Sequence, residues 1–289
     1  MAVHKITVRD ILEVDEICER IAEFIPGVDA KTQTQRSSRS GSGAYIPCVG
    51  TIWEDDLTRE VATEWFSNRP GDLPGFTTDW LEVRYPRHRR GNCDLCLIGN
   101  GYRGGPPFEW AIEMKYVRFI GDNGKNNDYG VTKVASPYRK DRSSVLDAER
   151  LLGFDLASRK AVIMYGFEFD SDSIDLAIDW CDNISPDAER KKNFERTKNM
   201  KSVLDKEDPQ NHLMELVSLI PLFEAACRTR GIDLSDVSQH TFDGLNRHPL
   251  YAKGRVMGWE VIDGKMVDCI GNHGLGLGCE SDPGTSASQ

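Results

Sequence analysis

Two short runs decide how this chain reads: Asn92-Cys93-Asp94-Leu95-Cys96-Leu97-Ile98-Gly99, and Glu109-Trp110-Ala111-Ile112-Glu113-Met114-Lys115-Tyr116-Val117. Both are apolar strands interrupted by charge. In the second, a period of two puts Glu113 and Lys115 on one face with Ala111, while Ile112, Met114 and Tyr116 point the other way. Charge inside a sheet is costly unless it is paired or metal-bound. Asp94, Glu113 and Lys115 among apolar neighbours therefore ask for a reason.

Working outward, 79–86 and 93–99 read as strands joined by a basic turn, and 109–117 as a third strand. Residues 55–67 form a helix, with Asp55 or Asp56 as cap and Leu57, Val61, Trp65 and Phe66 toward the core. The spacing predicts a compact helix over 143–152, with Ser143 as cap and Gly153 as stop. Residues 160–169 begin with the continuous apolar run of a strand buried on both faces. Strand, long loop, helix and buried strand in that order describe a parallel crossover in a mixed sheet.

The flanks add helices. Residues 8–25 carry an apolar stripe and end at Pro26; 26–50 are a polar stretch, either a linker or an arm that touches a phosphate backbone. Helices are expected at 173–182, 187–206 and 211–230, the last kinked by Pro221 and stopped by Gly231. A last strand falls at 255–262. The fold class is α/β, a central mixed sheet flanked by helices, with a helical insertion over 173–231 and an irregular C-terminal tail. Residues 1–275 read as one domain, with its core over about 55–169 plus 255–262, and 276–289 as a disordered tail.

Composition sets the bounds. The 289 residues bury a core without staples, and 39% hydrophobic with 28% charged residues is ordinary for a globular chain. The net charge of −10 repels polyanions, so nucleic-acid contact requires local basic patches. No signal-peptide core and no run of eighteen apolar residues is present, which reads as cytoplasmic and without a membrane role. Eight scattered cysteines suit reduced thiols. The Cys93-x-x-Cys96 pair lacks a second pair at zinc spacing and reads as buried strand side chains.

Two carboxylates with a main-chain carbonyl between them, here Asp94, Glu113 and the carbonyl of Met114, suit a hard divalent ion such as Mg²⁺, for which Mn²⁺ substitutes. Lys115 beside them can orient a water or help to deprotonate it, and can neutralise charge on a phosphate. The competing reading is an ordinary Glu–Lys ion pair on a half-exposed strand, with Asp94 solvated after a turn. E-x-K alone does not separate the two.

The order helix, strand, strand with Asp, strand with Glu-x-Lys, helix, buried strand resembles the core of the PD-(D/E)XK nuclease superfamily over roughly residues 55–169. The resemblance implies Asp94 and Glu113 as metal ligands and Lys115 as the catalytic lysine, with an added acid from the preceding helix, Glu60 in preference to Glu64. Cys93 stands where the name motif has proline. It further implies a restriction endonuclease-like fold and an Mg²⁺-dependent endonuclease acting on DNA phosphodiesters, of a type II restriction-like or defence kind. The alternatives are a structure-specific repair or recombination nuclease, and a non-catalytic nucleic-acid-binding protein on the same scaffold.

Basic clusters bear on partners. Arg84, Arg87, Arg89 and Arg90 gather at the turn near Asp94, and Tyr138, Arg139 and Arg142 just before the 143–152 helix; both are candidate phosphate contacts for double-stranded DNA. Between Glu189 and Lys206, seven basic residues face three acidic ones, either a solvated face or a contact. Asp147 and Arg150, at i and i+3, support the site or pair with each other, and the pair is the simpler reading. The loop 119–137 reads as substrate-contacting or disordered. A homodimer follows by analogy with two-fold duplex symmetry.

Several patterns lead elsewhere. Gly99-x-Gly101-x-x-Gly104 is followed by Gly105-Pro106-Pro107 where a dinucleotide site needs a helix. Gly121 to Lys125 lacks P-loop spacing. His240 and His248 lie in a loop-like segment without metal-ligand spacing, although Asn246, Arg247 and His248 are further candidate contacts to base or phosphate.

Overall fold

The computed structural model describes residues 12–32, 48–73, 75–86, 91–98, 108–117, 119, 134, 143–169, 215–245, 247 and 251–262. A seven-stranded mixed sheet organises them. Its strands are β1 (Leu81–Arg84), β2 (Asn92–Leu97), β3 (Phe108–Val117), β4 (Ala157–Phe167), β5 (Asp233–Leu234), β6 (Ser238–Phe242) and β7 (Gly254–Ile262). The order is β1-β2-β3-β4-β7-β5, and β6 also pairs with β7. Among the described strands only β3 and β4 run parallel, with Glu113 opposite Val162 and Lys115 opposite Met164. Their connection carries the helix α3 (Ser144–Gly153), the crossover that the element order implies.

The alternation along β3 divides the interior in two. Trp110, Ile112, Met114 and Tyr116 face a core closed by α1 (Val14–Lys31) and α2 (Glu54–Asn68). Ala111 and Val117 face a second core closed by α3 and α4 (Ile220–Thr229). The β4 stretch from Lys160 to Phe167 is buried throughout, as a strand covered on both sides must be. Ser143 caps α3, its hydroxyl accepting the Leu146 N–H at 3.2 Å.

Three local expectations are corrected. The first helix does not stop at Pro26 but runs to Lys31. Its last turn is anchored from outside: Asp29 is buried and accepts the Val49 N–H at 3.0 Å, and Arg247 donates to the carbonyls of Ala30 and Thr32. The Arg247 bonds satisfy carbonyls that a helix C-terminus leaves open. Pro221 does not kink a helix; it stands in the first turn of α4, after a 3₁₀ turn at Leu216–Leu219, where its missing N–H costs nothing. The segment 238–242, expected as loop, is β6, and His240 there meets Asp15 at 3.0 Å.

Gly231, with φ +68°, ends α4 as expected. Gly258 of β7 gives α1 its close approach, since a side chain there meets Cys18 Sγ. The helices expected at 173–182 and 187–206, all of the 119–137 loop except Phe119 and Val134, and the tail 276–289 lie outside the described residues. No described helix is long and apolar enough to cross a membrane.

Candidate active site

The site begins where β2 and β3 part. Their register runs Leu97–Trp110, Cys96–Ala111 and Leu95–Ile112 and stops there. Beyond it β2 continues against β1 alone. Cys93 and Leu95, two residues apart, lie in different cores, so the regular alternation of β2 breaks at Asp94. Across the β1–β2 ladder, Glu82 falls opposite Asp94 and has φ +52°, a left-handed backbone uncommon outside glycine.

The N–H groups of β3 that lose β2 are taken by carboxylates. Asp94 Oδ2 accepts the Met114 N–H at 2.7 Å, and Glu54 Oε2 accepts the Tyr116 N–H at 2.7 Å. Glu54 comes from the first turn of α2 and also lies 3.5 Å from Lys115 Nζ.

On the α3 side of β3, Glu113 and Lys115 are both buried, 3% and 6% exposed. Glu113 Oε1 accepts the Tyr85 hydroxyl at 2.6 Å and Arg150 Nη1 at 2.9 Å. Arg150 Nη2 meets Asp147 Oδ1 at 3.0 Å, and Asp147 Oδ2 lies 2.9 Å from Lys115 Nζ. Glu113, Arg150, Asp147 and Lys115 thus form a chain of alternating charge between β3 and α3.

With Glu54 and Asp94 included, four acidic side chains face two basic ones in a largely buried space. The electrostatics follow from this. Burial pushes the Glu113 carboxyl up to about 8, and the Asp147 charge adds to it against Arg150 and Tyr85. Burial and then the Glu113 charge raise Asp94 well above the carboxylate range, against Lys115 and the Met114 N–H. Burial works against the Lys115 ammonium, but Asp147, Glu54 and Asp94 outweigh it and hold the group above its ordinary value. Lys115 is therefore held as a cation, the form that neutralises charge on a phosphate.

Asp94, Glu113, Lys115 and the Met114 main chain are thus gathered at one place. Glu60 is not: it is exposed on α2, and the helix acid that reaches β3 is Glu54. The N-cap is not Asp55 or Asp56 but the extended Trp53, two or three residues earlier and without a side-chain cap bond, and this puts Glu54 in the first turn facing the sheet. Glu64 pairs with Lys31 at 2.6 Å instead. Arg84 is exposed on the edge strand β1. Arg87, Arg89, Arg90, Tyr138, Arg139 and Arg142 lie outside the described residues, as do Asn246 and His248.

Tyr85 and Glu54 escaped sequence reasoning. The signal for Glu54 was an acid in the first turn of a helix packed on the charged strand. Asp147 and Arg150 do pair, as their spacing suggests, and each also reaches one residue of the Glu-x-Lys. Cys93 and Cys96 are buried; burial pushes the Cys93 thiol up, and it donates to the Ile112 carbonyl at 3.4 Å, so it is a packing group.

Among the described residues no three His, Cys, Asp or Glu side chains are grouped to hold a metal ion. What the site offers is a smaller donor set. Asp94 Oδ1 and Glu113 Oε2 accept no hydrogen bond among the described residues, and the Met114 carbonyl leaves β3 on the edge that β2 has vacated. Two carboxyl oxygens and a carbonyl in a site with more acidic than basic side chains fit a hard oxygen-binding cation that keeps several waters. They do not fit a closed four-ligand zinc site. A scan against protein-family models finds no match, and searches of curated proteins and of solved structures find none either.

Proposed function

We propose that this chain is an Mg²⁺-dependent endonuclease that hydrolyses phosphodiester bonds of double-stranded DNA, of a type II restriction-like or defence kind and related to the PD-(D/E)XK nucleases. The observation that carries the reading is the meeting of Asp94, Glu113 and Lys115 where β2 leaves β3, among four acidic side chains and two basic ones. Asp94, Glu113 and the Met114 carbonyl hold the ion, and Mn²⁺ substitutes for it. When bound, it neutralises charge at the scissile phosphate and lowers the pKa of a water.

The chain's own residues do the rest. Lys115, kept cationic by its acidic neighbours, faces the charge that builds on the phosphate. Glu54 takes the helix-acid role first given to Glu60, steadying Lys115 and the β3 edge. Arg84 and the basic turn after it, with Tyr138, Arg139 and Arg142, hold the backbone of the duplex. A homodimer places two such sites on the two strands.

The test is incubation of the full chain with unmodified and methylated plasmid and phage DNA in Mg²⁺, Mn²⁺ or EDTA, beside Glu113→Ala. Discrete fragments that need the metal and vanish in the variant support the reading. One observation favours a second reading: from Glu113 to Lys115 each group has an oppositely charged neighbour without an ion. A nucleic-acid-binding protein on this scaffold holds DNA equally well in EDTA and cuts nothing.

A further inference from the structure

The ion pairs at the site cross over. Glu113 and Lys115 share a face of β3, yet they do not pair with each other among the described residues. Glu113 turns to Arg150, and Lys115 to Asp147 and Glu54. Asp147 is 2% exposed, and its Oδ2 accepts no aligned hydrogen bond among the described residues, so the neighbour of that oxygen is the ammonium 2.9 Å away.

An ammonium on a flexible four-carbon stem settles on the carboxylate that holds it best. Asp94 is within electrostatic reach of Lys115 and is a candidate cation ligand. If the ammonium settled on Asp94, it would occupy the place of the cation and cancel the charge that attracts it. Asp147 stands on the other side, on the crossover helix, and is itself braced by Arg150 at 3.0 Å.

We propose that Asp147 is a positioning residue: it draws the Lys115 ammonium toward α3 and away from Asp94, leaving Asp94 and Glu113 open to a hard divalent cation. This rests on the metal-dependent reading above, and the experiment separates the two. The full chain, Asp147→Asn, Lys115→Met and the double variant are titrated with Mn²⁺ by calorimetry without DNA, and their melting is followed in EDTA.

Asp147→Asn is expected to weaken Mn²⁺ binding by about 10–100-fold, the usual effect of removing a partner just outside the ligands. Adding Lys115→Met is expected to restore most of that affinity, since the misplaced ammonium is then gone. In EDTA, Lys115→Met lowers the melting temperature more in the wild-type background than beside Asp147→Asn, because only the former leaves the buried Asp147 Oδ2 without its ammonium. A merely structural aspartate gives no such rescue.

Unchanged Mn²⁺ affinity in Asp147→Asn, or a loss that Lys115→Met does not restore, overturns the proposal and leaves the metal reading standing. A folded wild-type chain that binds no Mn²⁺ overturns the metal reading and the proposal with it. If Asp147→Asn does not fold, the double variant decides: near wild-type affinity supports the proposal, and lost affinity overturns it.

Discussion

Asp94 Oδ2 accepts the main-chain N–H of Met114 at 2.7 Å, two residues along β3 from the last pair that β2 and β3 form. Glu54 does the same for Tyr116 one step further, at 2.7 Å. The edge of β3 is thus held open by side chains from two other elements, and its carbonyls and the Glu113–Lys115 face remain beside unpaired acidic oxygens. A strand edge inside a sheet normally satisfies its N–H groups with another strand; here carboxylates replace that strand and bring charge with them.

Asp94 therefore has two separable roles. Asp94→Ala leaves the Met114 N–H without its acceptor, a loss of about 1–3 kcal/mol for a buried donor. Asp94→Asn keeps an acceptor oxygen and removes the charge. Thermal melting should show Ala well below Asn, with Asn close to wild type, while both variants lose metal-dependent cleavage by more than the about 100-fold typical of groups behind the ligands. An Asn variant that cuts normally would remove Asp94 from the chemistry.

Glu54 and Glu60 give a second contrast. Glu54→Gln still accepts the Tyr116 N–H through its amide oxygen but loses the charge 3.5 Å from Lys115. Its melting should stay near wild type while cleavage falls about tenfold or more, on the scale of a group that supports the reacting residues. Glu60→Gln, on the exposed face of α2, should change stability by no more than about 0.5 kcal/mol and leave cleavage intact. The reverse ranking would restore Glu60 as the helix acid.

What the sequence made legible was whatever depends on local periodicity. The period of two in 109–117 places Glu113 and Lys115 on one face, the apolar run of β4 marks a strand covered on both sides, and Ser143 announces α3. What it hid depends on distance. Tyr85 reaches Glu113 across 28 residues and Glu54 reaches Tyr116 across 62, and no spacing rule connects either pair. Asp147 and Arg150 announce only each other at i and i+3, because the partners that matter more sit on another element. Pro26 misleads for the same reason: the turn after it is stabilised by Arg247, 217 residues from Ala30 in the chain. β6 is short and polar except for Phe242, so its sequence reads as loop until β7 is beside it.

Glu82 provides a test of local strain opposite the site. Its φ of +52° lies in a backbone region that costs a side chain roughly 1–2 kcal/mol, and its ion pair with Arg59, at 3.5 Å between half-exposed groups, contributes little. Glu82→Gly should hold or raise the melting temperature, whereas glycine at the regular neighbour Val83 should lower it. A clear loss at Glu82→Gly would mean that the side chain, and not the backbone, is what this position requires.

The pH dependence of stability should carry the mark of Glu113. Its carboxyl stands near 8 in the folded chain, pushed up first by burial, against 4.5 when exposed. Between those values the native state binds more protons than the unfolded one, so this group's contribution is fully present below about 4.5 and is lost as pH rises toward about 8. In EDTA, the melting temperature of wild type should therefore fall relative to that of Glu113→Gln from pH 5 to pH 8, by about 2–4 °C for each kcal/mol lost. Asp94, raised by the same burial, contributes with the same sign in both proteins. Millimolar Mg²⁺ should recover the loss at pH 8 in wild type and not in Glu113→Gln, because an ion that binds only the folded, ionised site stabilises it by mass action. Parallel melting profiles for the two proteins in EDTA would show that Glu113 is ionised across the range, and recovery by Mg²⁺ in both would place the ion elsewhere.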